Sequence, residues 1–145
     1  MVLRARDIMD PNVVAVDGAQ DVRSCARLLA ERHKGYAIVR DGDAVVGIVT
    51  EWDFLAKVLA VGVDPGSIAV RQIATPTVRS CAPETPAEDV IQTMAAEGIR
   101  RIVVRDGARV VGIVTSRDVL AMFRQYVDKL SRQIAGYHSD PAPLG

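Results

Sequence analysis

Apolar residues along this chain change their period in a fixed order, and the order is run through twice. A β-prone run at Val13 to Val16 leads into Val22, Cys25, Ala26 and Leu29, which fall at helical spacing. Two β-rich runs follow around an Asp-Gly turn, AIV-RDGD-AVVGIVT, and a second helix is predicted from Glu51. The same succession returns with Val78 to Cys81, then Ala87, Val90, Ile91 and Met94 at helical spacing, then IVV-RDGA-RVVGIVT and a helix from Ser116. Pro86 stands at the start of the helix before that hairpin, where its missing N–H costs little. Each unit therefore reads β-α-β-β-α, with a right-handed crossover expected between its first two strands.

A shift of sixty-five residues lays 6–58 on 71–123 without a gap. VRDGDAVVGIVT (39–50) and VRDGARVVGIVT (104–115) differ at two positions only, and GIVTEWD (47–53) reappears as GIVTSRD (112–118). One unit alone would bury too little surface to fold, so the two are expected to pack as pseudo-symmetric halves of an α/β (α+β) fold. The predicted organisation is repeat 1 over 1–60, a Gly- and Pro-bearing linker over 61–70, repeat 2 over 71–124, and a helix extension with a loose tail over 125–145. In the extension Val119, Phe123, Tyr126, Val127, Leu130 and Ile134 form one apolar stripe with little of the chain left to cover it, which predicts packing on a second subunit.

Composition narrows the function. Eighteen basic and eighteen acidic residues cancel, no basic face stands out and aromatics are few, so neither nucleic acid nor an anionic membrane is expected as a partner. The opening MVLRARDIMDP has charge but no apolar core, and no apolar run is long enough to span a bilayer; a cytoplasmic protein is expected. Cys25 and Cys81 lack metal-ligand spacing, and His33 and His138 join no cluster, so no metal site is expected. The chain carries no phosphate-binding loop of the GxxxxGK type and no nucleophile–base set; no catalytic residue and no required cofactor are predicted.

The candidate chemistry sits where strand becomes helix. Thr50 and Thr115 are N-cap residues by type, and Asp53 and Asp118 three positions on complete something close to a capping box. The same geometry serves a ligand equally well. A helix start offers free N–H groups to an anion, and a carboxylate one turn in can accept hydrogen bonds from a vicinal diol. A phosphate on the first and a ribose on the second describe a nucleotide. Capping alone does not require the same strand ending and hairpin at both places.

Over residues 6–123 the chain resembles a tandem pair of cystathionine-β-synthase (CBS) domains, a Bateman module. The resemblance is carried by the G-h-h-T-x-x-D motifs at Gly47–Asp53 and Gly112–Asp118 within matching units. It implies two clefts between the halves for AMP, ADP, ATP or S-adenosyl compounds such as S-adenosylmethionine, with Thr on phosphate and Asp on the ribose. Carried over, one site combines Asn12, Val13, Val14, Tyr36, Ala37, Ile38, Arg101, Thr115 and Asp118. The second combines Tyr36, Thr50, Asp53, Thr77, Val78, Arg79, Arg101, Ile102 and Val103. The second unit has Arg100-Arg101 where the first has Gly35-Tyr36, and arginine suits phosphate, so the site of Arg101 and Asp118 is predicted to be preferred. The expected function is a stand-alone sensor signalling by conformational change, homodimeric through its CBS helices and last helix and read by an unidentified effector protein. The competing reading is a ligand-free dimerisation scaffold.

Overall fold

The computed structural model describes residues 2–76 and 79–139. Five helices and six strands follow one another as α1 (Ala5–Ile8), β1 (Ala15–Asp17), α2 (Val22–Arg32), β2 (Tyr36–Asp41), β3 (Ala44–Thr50), α3 (Glu51–Phe54), β4 (Ser80–Cys81), α4 (Ala87–Glu97), β5 (Arg101–Asp106), β6 (Arg109–Thr115) and α5 (Ser116–Ser139). A π-helical turn, Leu55–Leu59, prolongs α3, and a 3-10 turn covers Val70–Gln72. Each repeat builds its own three-stranded sheet, in the orders β1-β2-β3 and β4-β5-β6. The first pair in each is parallel and the second antiparallel, as the crossover and the Asp-Gly hairpin require. Gly42 and Gly107 take the hairpin turns at φ 61°, a conformation that glycine adopts without strain.

Helix ends follow the local chemistry. Asp21 caps α2 by accepting the Ser24 N–H at 2.9 Å. Gly98 ends α4 in the left-handed region at φ 64°, and its counterpart after α2 is His33 at φ 53°, a non-glycine residue held in that region. Of the apolar positions predicted to face inward, Val22, Cys25 and Leu29, and Ala87, Val90 and Met94, are buried, whereas Ala26 and Ile91 are exposed. A three-stranded sheet covers only a narrow stripe of each helix. Burial pushes the Cys25 thiol up to about 11, with Asp21 adding to the shift, so Cys25 behaves as an inert apolar residue.

The packing units are not the repeat units. Val70 and Ile73, which lead into repeat 2, lie in the core of the first sheet with Val16, Leu29, Val39 and Val49. Ala5 and Ile8, which lead into repeat 1, lie in the core of the second with Val90, Met94, Val104 and Val114. The end of the predicted linker is therefore structural: Ala69 bridges Asp21 and Val70 is fully buried. A third cluster, Ile38, Ile48, Val103 and Ile113, draws on two strands of each sheet and closes the seam between them.

This exchange explains the glycine of the repeated motif. The lead-in segments bridge the opposite strands at Ile48↔Thr75 and Asp10↔Ile113. A Cβ on Gly47 would meet the Thr75 carbonyl, and one on Gly112 would meet Met9 and, at 3.0 Å, the Asp10 carbonyl oxygen. Neither glycine has a positive φ, so space and not conformation demands it.

Candidate functional site

Because β3 and β6 run straight into α3 and α5, both helix starts face the seam. The first N–H of each helix donates to the chain just ahead of the strand it follows: Glu51 to the Gly35 carbonyl (3.0 Å) and Ser116 to the Arg100 carbonyl (2.9 Å). A cavity of about 510 Å³ results, lined by Gly35, Tyr36, Thr50, Glu51, Trp52, Arg100, Arg101, Thr115, Ser116 and Arg117, with His33 at its edge. Tyr36, Thr50, Arg101 and Thr115, predicted for two separate sites, thus share one wall-to-wall space. Arg101 stacks its guanidinium 5.6 Å from the centre of the Tyr36 ring. Its Nε is buried without a hydrogen-bond partner among the described residues.

The two threonine–aspartate pairs start alike. Asp53 Oδ2 accepts the Thr50 N–H at 2.9 Å and the hydroxyl at 3.3 Å; Asp118 Oδ2 accepts the same groups of Thr115 at 3.0 and 2.8 Å. In the second pair the Asp118 N–H also donates to Thr115 Oγ1 at 3.1 Å, so the capping reading of the sequence describes real bonds. Asp53 is 3% exposed and Asp118 is half-buried.

Asn12, Val13 and Val14 line a second cavity of about 540 Å³ together with Pro11, Arg32 and Lys34. Tyr36 connects it electrostatically to the central space. Burial pushes the phenol up to about 12, the Asp10 and Asp118 carboxylates push the same way, and Arg101 opposes them. Tyr36 is therefore a neutral hydrogen-bonding ring at any physiological pH.

Several predicted residues contribute differently from expectation. Ala37, Ile38, Ile102 and Val103 are fully buried in the cores, which leaves only their main chains near the clefts. The Ile38 N–H donates to the Val14 carbonyl (2.9 Å) and the Val103 N–H to that of Arg79 (2.9 Å), so each core strand holds a cleft-lining segment in place. Arg79 itself pairs with Glu97 at 3.1 Å on the exposed surface. Thr77 and Val78 lie outside the described residues, as does the predicted tail beyond Ser139.

Sequence reasoning passed over Asp10, Lys34 and Glu51. Lys34, which lines the second cavity, brings its Nζ to 2.6 Å from Asp10 Oδ2. Burial works against ionisation of Asp10, but the Lys34 ammonium and the Asn12 N–H outweigh it and hold the carboxyl below its ordinary 3.8. A lowered folded-state value means that the unfolded chain binds more protons, so this stabilisation is complete above 3.8 and fades as pH falls through the folded value. Thermal melts of wild type and Asp10→Asn should accordingly differ at pH 6 and converge only as pH falls on from 3.8 through the lower folded-state value. Tyr36 is a further titratable group interacting electrostatically with Asp10, and Arg32 lines the same cavity as Lys34.

A duplicated β-α-β-β-α module, closed by exchanged lead-in segments and presenting two Thr–Asp helix starts to one seam, is the architecture of a tandem CBS pair. The CBS domain family model matches residues 5–60 and 70–124, and the chain belongs to the CBS domain family. Hypoxic response protein 1 of Mycobacterium tuberculosis is 29% identical over 116 residues, covering 79% of this chain and 81% of that protein. A hexameric CBS-CP12 protein from bloom-forming cyanobacteria is 35% identical with a TM-score of 0.73, over 83% of this chain and 71% of that one. The CBS domain pair of protein MJ0100, solved in complex with 5'-methylthioadenosine and S-adenosyl-L-methionine, is 26% identical with a TM-score of 0.73, over 87% and 99% of the two chains. Among the described residues no helix is long and apolar enough to cross a membrane, and no group of His, Cys, Asp and Glu is placed to hold a metal ion.

Proposed function

We propose that this CBS pair is a regulatory sensor, not an enzyme, that binds a phosphorylated adenosine ligand (AMP, ADP or ATP) at Thr115, Asp118, Arg101 and Tyr36, with Asn12 to Val14 as the opposite wall. The observation that carries this reading is the cavity between the two helix starts, lined by Arg100, Arg101 and Arg117 against one acid, Glu51. Guanidinium groups gathered at one cavity favour an anion there. The positive end of the 24-residue α5 adds to that attraction, and Asp118, whose Oδ1 meets no donor among the described residues, is the acceptor we assign to a ribose diol. His33, held at a positive φ where the other repeat has glycine, adds an imidazole to the same wall. The S-adenosyl ligand of the MJ0100 pair supports an adenosine compound as the class, while the arginines of this chain favour phosphate over a sulfonium. A ligand touching both halves would favour their closed arrangement, which is the change an effector protein would read. Calorimetric titration with AMP, ADP, ATP and S-adenosylmethionine tests this. The three phosphates should bind, S-adenosylmethionine at least about tenfold more weakly; a folded protein silent to all four would leave only the scaffold.

The scaffold reading has an observation of its own, and it is compatible with sensing. On α5 Leu120, Phe123, Tyr126, Val127, Leu130 and Ile134 are exposed as one stripe, and Ile91 of α4 continues it. Between them lies an apolar groove of about 890 Å³, lined also by Val2, Leu3 and Pro86. A homodimer through this face would cover it. Phe123 is 61% exposed within the single chain, so Phe123→Asp should leave the fold intact and convert a dimer to monomer by analytical ultracentrifugation.

A further inference from the structure

We propose that Lys57 is a built-in occupant of the second cleft, taking the place a ligand's diol would need and leaving one working site per chain. The proposal rests on the adenine-nucleotide reading above. The repeats are equivalent at Oδ2 of Asp53 and Asp118 and part at Oδ1. Asp53 Oδ1 forms an ion pair with Lys57 Nζ at 2.9 Å, and the same ammonium donates to the Ile73 carbonyl at 2.8 Å. Both oxygens of Asp53 are thereby engaged and the residue is 3% exposed. At the position of Lys57 the second repeat has Met122, which packs against the second core. Among the described residues no donor meets Asp118 Oδ1.

The chemistry follows from counting acceptors. A vicinal diol needs open lone pairs on the carboxylate. At Asp118 one oxygen offers them; at Asp53 a ligand would have to strip away an ammonium that is itself hydrogen-bonded to the Ile73 carbonyl. Ile73 belongs to the lead-in segment of repeat 2 and packs in the first core with Val58, so Lys57 also ties α3's continuation to that segment. Asp53 is thus held permanently and Asp118 is left to respond.

Reciprocal exchange at the two positions, in the full chain with AMP as probe, tests the inference by calorimetric stoichiometry. Wild type should bind one AMP, lost with Asp118→Ala. Lys57→Met should bind two, the second lost on adding Asp53→Ala, and Met122→Lys should weaken the wild-type site at least tenfold. Two AMP on wild type, or one on a folded Lys57→Met with its affinity unchanged, overturns the blocking role while the sensor reading stands. No AMP on wild type but one, dependent on Asp53, on Lys57→Met sustains the block and overturns Asp118 as the site. No AMP on either protein overturns both. Should Lys57→Met not fold, Met122→Lys decides, since unchanged affinity there sinks the proposal.

Discussion

Gly47→Ala is expected to lower the unfolding free energy by about 3 kcal/mol, the upper end of what a forced methyl costs in a packed interior, and Gly112→Ala by about half as much. The difference lies in what each new methyl meets. At Gly47 it is main chain: the Thr75 carbonyl, whose carbon lies 3.1 Å from the ideal Cβ position. That carbonyl also accepts the Ile48 N–H at 3.0 Å, and the Thr75 N–H donates to the Ile48 carbonyl at 2.9 Å. Pushing it aside therefore breaks the bridge that fastens the lead-in segment of repeat 2 to the first sheet. At Gly112 the nearest atoms belong to Met9, a flexible side chain that can turn away, with the Asp10 carbonyl oxygen next at 3.0 Å. Denaturant unfolding of the three proteins measures this; equal losses would mean that the two lead-in segments are held in the same way.

The repeat, its strands and hairpins, and the helix starts at Glu51 and Ser116 were legible because period, Asp-Gly turns and N-cap residues are local signals. The exchange of Ala5–Ile8 and Val70–Ile73 between cores was not. A segment's apolar pattern states that it is buried and does not say by which sheet, so the repeat boundary passed for a packing boundary. The site shows the same division. The helix starts at Thr50 and Thr115, with Asp53 and Asp118 bonded back to them, follow from the motif, and Tyr36 opposite Arg101 follows from the resemblance to a CBS pair. Asp10–Lys34 could not, because an ion pair 24 positions apart carries no local signature. Lys57 lay in plain view as an i,i+4 partner of Asp53, a spacing that marks a pair on any helix; its second bond, to the Ile73 carbonyl, depends on the exchange.

Asp118→Ala and Asp53→Ala should dissociate binding from stability in opposite directions. Asp118→Ala removes the acceptor proposed for the ribose, and hydrogen bonds to a charged group contribute about 1.5–3 kcal/mol each, so AMP affinity should fall roughly 10- to 150-fold for each bond lost. Its structural cost is the loss of a cap, about 1 kcal/mol, since Asp118 is only half-buried and Thr115 can turn to solvent. Asp53→Ala reverses the balance. It removes a buried carboxylate that accepts two bonds from Thr50 and holds Lys57. Lys57 is 44% exposed and can rehydrate, which limits the loss to about 2 kcal/mol, while AMP affinity should stay within about twofold. Thermal melts and calorimetric titration of the same two variants read both axes at once. Affinity lost with Asp53→Ala and kept with Asp118→Ala would preserve the sensor and move its site to the other repeat, and with it the block by Lys57 would fall. Equal losses at both positions would mean that the halves bind as one composite site, for which the single cavity between the two helix starts already provides the room.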